Sequence, residues 1–364
     1  MVTELDEKTE RLRRMLEREK LGGVLINAQH NFAWLTGGAT NGIDLSRENG
    51  AASLLVTADG KRYILANNIE MPRMLDEEIS VTDFEPVEYS WQDQKATARF
   101  VIDLAKSLIT ASEIATDYQF ESKMAHCRYR LTPDEIDRYK SLGDDAGAAV
   151  SKVIKNIEPG ESEIKIAEKM RYELAANGMA SVVTLVAADE RTSQYRHPVP
   201  TSKRWNKTLL LVTCAKRGGL IASLSRMVCI GEMPDELKHK TEAAAYVNAC
   251  QMHATRPGVT GAALYQVAAN AYAEKGFADE INRHHQGGAS GYRTRDWVAH
   301  PTSSEVVQEN QAFAWNPSIT GTKVEETCIL TANGIETLTA SSNFPIIATV
   351  IDGQTYLSPG VLSK

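Results

Sequence analysis

Long apolar runs are missing from this 364-residue chain. None approaches the roughly 18–20 residues needed to span a bilayer, so no membrane partner is expected. Paired cysteines are missing too. The five present (Cys127, Cys214, Cys229, Cys250 and Cys328) are scattered, odd in number and without a C-x-x-C spacing. They read as reduced, mostly buried thiols of a cytoplasmic protein, neither a disulfide frame nor a zinc cage. Positive charge is not in excess: the formal net charge is −7, which argues against nucleic acid as a partner, because such binders concentrate cations. The acidic opening Met1-Val2-Thr3-Glu4-Leu5-Asp6-Glu7 lacks the order of a signal peptide. Neither a phosphate-cradling glycine loop nor a G-x-S-x-G elbow occurs. What is there is a chain of 43% hydrophobic and 24% charged residues, the balance of a globular protein with a sizeable core and room for two or three domains.

Leu5, Leu12, Met15 and Leu16 among charges give residues 3–20 a helical period that should end near Gly22-Gly23. Val24–Ile26 is a buried strand, and Asn31–Leu35 an apolar unit closed by Gly37-Gly38. Residues 52–56 and 62–66 are strands joined across Ala58-Asp59-Gly60-Lys61, a hairpin signal, and helical patterns resume over 69–78 and 93–110. Alternating helices and strands make residues 1–128 a small α/β domain, with residues 129–364 as a second. The second contains a pseudo-repeat. Pro133-Asp134-Glu135-Ile136 and Pro234-Asp235-Glu236-Leu237 each open a helix; Pro159-Gly160 and Pro257-Gly258 each open a segment ending at Gly178 and Gly276, and each half then reaches a matched dipeptide, Tyr195-Arg196 or Tyr292-Arg293. Two such halves would pack their sheets edge to edge, helices on one face and a ligand cleft on the other. Strands are expected over 208–212 and 220–228 in the first half, and over 312–315 and 327–330 in the second.

Proton-transfer groups cluster in three segments. His197 lies in a proline-flanked polar stretch and suits general acid or base work, or is a loop histidine with no role. His284-His285 precede Gln286-Gly287-Gly288, where glycines let backbone approach a ligand; on a strand only one of the two rings faces the cleft. By the same alternation one of Glu325 and Glu326 points inward, to activate water or hold a cationic group, unless the pair is a solvated turn. Arg293, Arg295 and Asp296 form a charged cluster beside Trp297, able to clamp a substrate carboxylate or to pair among themselves.

These features together resemble the creatinase/aminopeptidase P/prolidase superfamily, the pita-bread fold, over nearly the whole chain. The resemblance is carried by Gly23–Ile26 through Phe32–Gly37, by Pro133–Ile136, the Pro159-Gly160 turn and the repeat, and by Gln311–Pro317 followed by Lys323–Thr327. It implies an α/β (α+β) architecture with a creatinase-like N-terminal domain and a pita-bread catalytic domain, and commonly a homodimer. The peptidases of that family hold two divalent ions on two aspartates, a histidine and two glutamates. Those positions fall here in Leu211–Cys214, at Ser223, at His285, at Asn316 and at Glu325, and no Asp or Glu occurs from Leu209 through Cys229. Two ions bring a charge of +4 that one carboxylate cannot offset, so no cofactor and no metal pair is expected; a single weak ion on His285 and Glu325 is the most the set would hold. The expected activity is metal-independent hydrolysis of a C–N bond in a small carboxylate-bearing amidino, amide or imino-acid-like compound. His197, His285, Glu325 and Glu326 are the catalytic candidates, and Arg196, Tyr292, Arg293, Arg295, Asp296 and Asn316 the substrate-binding ones. The alternatives are an Xaa-Pro peptidase with atypical metal ligands and a non-catalytic ligand-binding protein.

Overall fold

The computed structural model describes residues 3–44, 46–97, 99–109 and 113–364, which form two compact units, Met1–Arg128 and Tyr129–Lys364. In the first, Thr3 caps the helix Glu4–Glu19 by accepting the Asp6 N–H at 3.1 Å. That helix ends earlier than its glycines suggest: Lys20 itself takes the left-handed conformation (φ 57°). Gly23 instead starts a strand, where an added Cβ would lie 3.1 Å from the Val56 carbonyl oxygen. The five-stranded sheet runs Glu85–Tyr89, Arg62–Asn67, Asn49–Thr57, Gly23–Ala28, Ile114–Thr116. The expected hairpin pairs Val56 with Arg62 and turns at Gly60 (φ 88°). The helical pattern over 93–110 is two pieces, Trp91–Ala96 and Phe100–Ser107; residues 98 and 110 lie outside the described residues.

In the second unit the repeat appears as two pairs of helices. The helix Pro133–Lys155 starts at a capping box: the Thr132 hydroxyl accepts the Glu135 N–H at 3.2 Å while the Glu135 carboxylate accepts the Thr132 N–H at 2.8 Å. Such a cap contributes about 1 kcal/mol and fixes the start of the helix. Its counterpart is Asp235–Ala254. The second helices, Glu163–Ala176 and Gly261–Glu274, are capped by Ser162 and Thr260, each three residues past its Pro-Gly proline. Gly160 and Gly258 sit at φ 92° and 90°, Gly178 and Gly276 at 69° and 82°. At all four an added side chain would meet open space, so the glycines are there for backbone conformation. The match ends after the helices. Tyr195 is exposed and Tyr292 buried, so the two Tyr-Arg dipeptides are not structural equivalents.

A four-stranded sheet (Val361–Ser363, Leu220–Cys229, Thr208–Arg217, Ala180–Ala188) and a five-stranded one (Trp297–Val298, Gly287–Ser290, Gln311–Trp315, Glu326–Thr331, Gly334–Thr337) meet edge to edge at a single bridge, Ser225 to Glu325. Thr327 locks the seam: its hydroxyl accepts the Ser223 N–H at 2.7 Å and donates to the Ser223 carbonyl at 3.0 Å. Every residue of Leu220–Cys229 is buried, as a strand covered on both faces requires. Among the described residues no helix is long and apolar enough to cross a membrane.

Candidate functional site

At that seam lies a cavity of about 280 Å³ lined by Val183, Leu185, His197, Val212, Cys214, His285, Thr294, Arg295, Asn316, Lys323 and Glu325. Strand alternation explains part of it. Val212 and Cys214 are two apart on one strand and so face the same way, while Lys323 ends the short strand Thr322–Lys323 and Glu325 sits at the bridge to Ser225.

Glu325 is buried yet ionised. Its carboxylate accepts from the Ser225 hydroxyl at 2.5 Å and is paired with the Lys323 ammonium at 2.8 Å and the Arg295 guanidinium at 3.2 Å. Burial by itself would raise its pKa, but the two cations more than offset this and hold it at about 2. A carboxylate so strongly stabilised is a weak base, which corrects the expectation that Glu325 deprotonates water. One carboxylate thus meets two cations, Lys323 and Arg295.

Glu326 points to the other face of the sheet. It pairs with Arg226 at 2.8 Å, accepts from the Thr339 hydroxyl, and borders a separate cavity of about 320 Å³. Burial raises its pKa against the pull of Arg226. Its place among the catalytic candidates is therefore withdrawn: the strand turns it away from the cleft.

The two histidines of the His284-His285 pair do not alternate, because they lie in an irregular segment before the strand Gly287–Ser290. Their rings stack at 4.3 Å, and His284 Nε2 lies 3.3 Å from His197 Nε2. Partial desolvation together with the Lys323 charge lowers the pKa of His197. Desolvation with the charges of Arg295 and Lys323 lowers that of His285 to about 4, and desolvation with Lys323 lowers that of His284 to about 2. All three imidazoles are accordingly neutral at pH 7. The glycines after them serve packing rather than a ligand: a Cβ on Gly287 or Gly288 would lie 2.1 Å from the Ala314 carbonyl oxygen or 2.0 Å from that of Trp297.

Two buried polar atoms of lining residues have no protein partner, Asn316 Oδ1 and Arg295 Nε. An orphaned acceptor and an orphaned donor in one cavity lining suit a ligand that brings an N–H and an anionic oxygen. Other expected substrate contacts are structural. Arg196 binds Glu280, the Ser318 hydroxyl at 3.2 Å and the Thr320 hydroxyl at 2.9 Å, anchoring the loop that carries His197. The buried Tyr292 donates to Glu135 at 2.8 Å. Arg293 and Asp296 are half-buried beside the site without lining the cavity, and Arg295 pairs with Glu325 rather than with its neighbour Asp296. Lys323, Ser225 and His284 were not among the sequence candidates.

The donor set does not suit a pair of divalent ions. By the resemblance, the two aspartate positions fall in Leu211–Cys214 and at Ser223, and one glutamate position at Asn316; Ser223 is engaged with the Cys214 sulfur at 3.2 Å, and Glu325 is already matched by two cations. Caging a charge of +4 there would leave most of it uncompensated, at several kcal/mol per ion. The Cys214 thiol, pushed up by burial, is not an activated nucleophile.

Comparison with known proteins accords with this architecture. The model of metallopeptidase family M24 matches residues 137–333, more than half of the chain, and that of the creatinase/prolidase N-terminal domain matches residues 8–157. The Xaa-Pro dipeptidase of Pyrococcus horikoshii is 22% identical over 353 residues, covering 92% of this chain and 97% of that protein. The crystal structure of the prolidase from the same organism superposes with a TM-score of 0.76 at 20% identity, over 92% of this chain and 99% of that one. The N-terminal domain of FACT complex subunit SPT16 from Cicer arietinum (chickpea) has a TM-score of 0.69 at 12% identity, over 92% and 96%, so proteins of differing description share this fold. With its creatinase-like first unit and its duplicated second, this chain belongs to metallopeptidase family M24.

Proposed function

We propose that this protein hydrolyses a C–N bond in a small, dipeptide-sized substrate carrying a carboxylate, with Xaa-Pro dipeptides, the substrates named for its relatives, as the leading class. The observation that carries this reading is the pairing, around one cavity, of neutral imidazoles with unsatisfied groups for a charged, N–H-bearing ligand. A volume of about 280 Å³ lies at the small end of ligand pockets, about 300–1,000 Å³, and suits a compact substrate. Arg295, through Nε, and Lys323 attract the carboxylate, and Asn316 Oδ1 accepts an N–H. His197, neutral at rest, takes a proton from the attacking water and returns it to the departing nitrogen, since an amine leaves only when protonated. Cationic Lys323 and Arg295 stabilise the oxyanion that forms meanwhile. No step uses a metal pair, which the lining does not fit.

A second reading, cleavage of a non-peptide C–N bond as in creatinase, is favoured by the lack of acids from Leu209 through Cys229. One screen separates the two: Xaa-Pro dipeptides and amidino or amide metabolites, assayed for amine release. Turnover of the dipeptides, lost in His197→Ala, supports the first reading; turnover of the metabolites alone selects the second; none with either class contradicts both.

A further inference from the structure

We propose that His197, His284 and His285 together bind one exchangeable transition-metal ion of borderline softness, of the Zn²⁺, Cu²⁺ or Ni²⁺ class, through ring nitrogens and without a carboxylate. One ring nitrogen from each histidine lies within 4.8 Å of those of the other two. The shortest separation, His197 Nε2 to His284 Nε2, is 3.3 Å. A tetrahedral ion with Zn–N bonds of about 2.0–2.1 Å spaces its ligand nitrogens by about 3.3–3.4 Å, so two of the three are already at coordination distance. His285 is exposed, with its ring stacked on that of His284 at 4.3 Å and 6.1 Å from that of His197, so a change of its rotamer is what would complete the set.

The chemistry selects the ion. Imidazole nitrogens suit Zn²⁺, Cu²⁺ and Ni²⁺, whereas Mg²⁺, Ca²⁺ and Mn²⁺ require oxygen donors, and the one acid lining the cavity is held by Lys323 and Arg295. The same two cations weaken the site electrostatically. His284 Nδ1 has no hydrogen-bond partner to stiffen the ring, which weakens it further, so the ion is exchangeable rather than structural. This site differs from the acid-rich pair of the family pattern in ligands and in number of ions. While filled, it would engage the lone pair that His197 needs for proton transfer.

The test is a titration of the chelator-treated full-length protein with Co²⁺ alone, followed by visible absorption, then displacement by Zn²⁺ followed by calorimetry. The expected result is one ion per chain with a tetrahedral-type Co²⁺ spectrum. His197→Ala and His284→Ala should each weaken uptake at least tenfold, since losing a ligand costs more than losing its support, about 10–100-fold. Glu325→Gln should leave the stoichiometry unchanged. If His284→Ala fails to fold, His285→Asn, on an exposed ring, serves in its place with far-ultraviolet circular dichroism as control. No uptake, uptake indifferent to these histidines, or Mn²⁺ uptake lost in Glu325→Gln would each overturn the proposal. The readout is binding, so it succeeds or fails independently of any hydrolytic activity.

Discussion

On one face of the joined sheet Glu325 looks into a cavity, matched by two cations and a serine hydroxyl; on the other, its neighbour Glu326 is matched by one guanidinium and a threonine. On the far face, beside its own cavity, the pair is saturated: Arg226 spends its remaining donors on the Ser341 hydroxyl and on the carbonyls of Ser225 and Thr339. The cleft face is left with two cations against one carboxylate and with unmatched polar atoms. A buried ion pair whose donors are all consumed holds the seam together; one with donors to spare is arranged for something that arrives.

The largest effect expected is on the far face. Arg226→Ala strands a buried carboxylate and should cost about 3–5 kcal/mol in denaturant unfolding. Lys323→Ala should cost under about 2 kcal/mol, because Glu325 keeps Arg295 and Ser225. Equal losses would break the contrast between the faces. Next, His197→Ala should lower turnover of the cleaved substrate by about 10²–10⁴-fold with little change in melting temperature. Arg295→Lys keeps the charge but loses the fork; KM should rise about tenfold, near 1.4 kcal/mol, with a smaller change in kcat.

The smallest effect is a pH signature. Glu325 has a folded pKa of about 2 against an ordinary 4.5, so it adds stability at higher pH that is lost as pH falls from 4.5 towards 2. Glu326 has a raised pKa, so its contribution has the opposite sign, present below 4.5 and lost as pH rises through its folded value. Thermal melts across acidic pH should therefore show Glu325→Gln flattening the acid limb and Glu326→Gln leaving it at least as steep.

Local signals made much of this legible from the residues. Proline-glycine turns, caps and helical spacing revealed the duplicated half, because the conformations they encode are set within a few residues. His197, His285, Arg295, Asn316 and Glu325 do line one cavity. Partnership at long range was not legible. Arg196 and Tyr292 looked like ligands, yet they pair with Glu280 and Glu135, which are 84 and 157 positions away. Strand alternation would let only one of His284 and His285 face the cleft, an assumption that the irregular segment does not obey.

The most direct test of the central claim is elemental analysis of the purified protein beside turnover of the best substrate found, with and without a chelator. A cleft run by imidazoles and a cation-clamped Glu325 predicts at most one ion per chain and turnover that survives the chelator. Two ions per chain, with activity that vanishes on their removal and returns on their restoration, would contradict it.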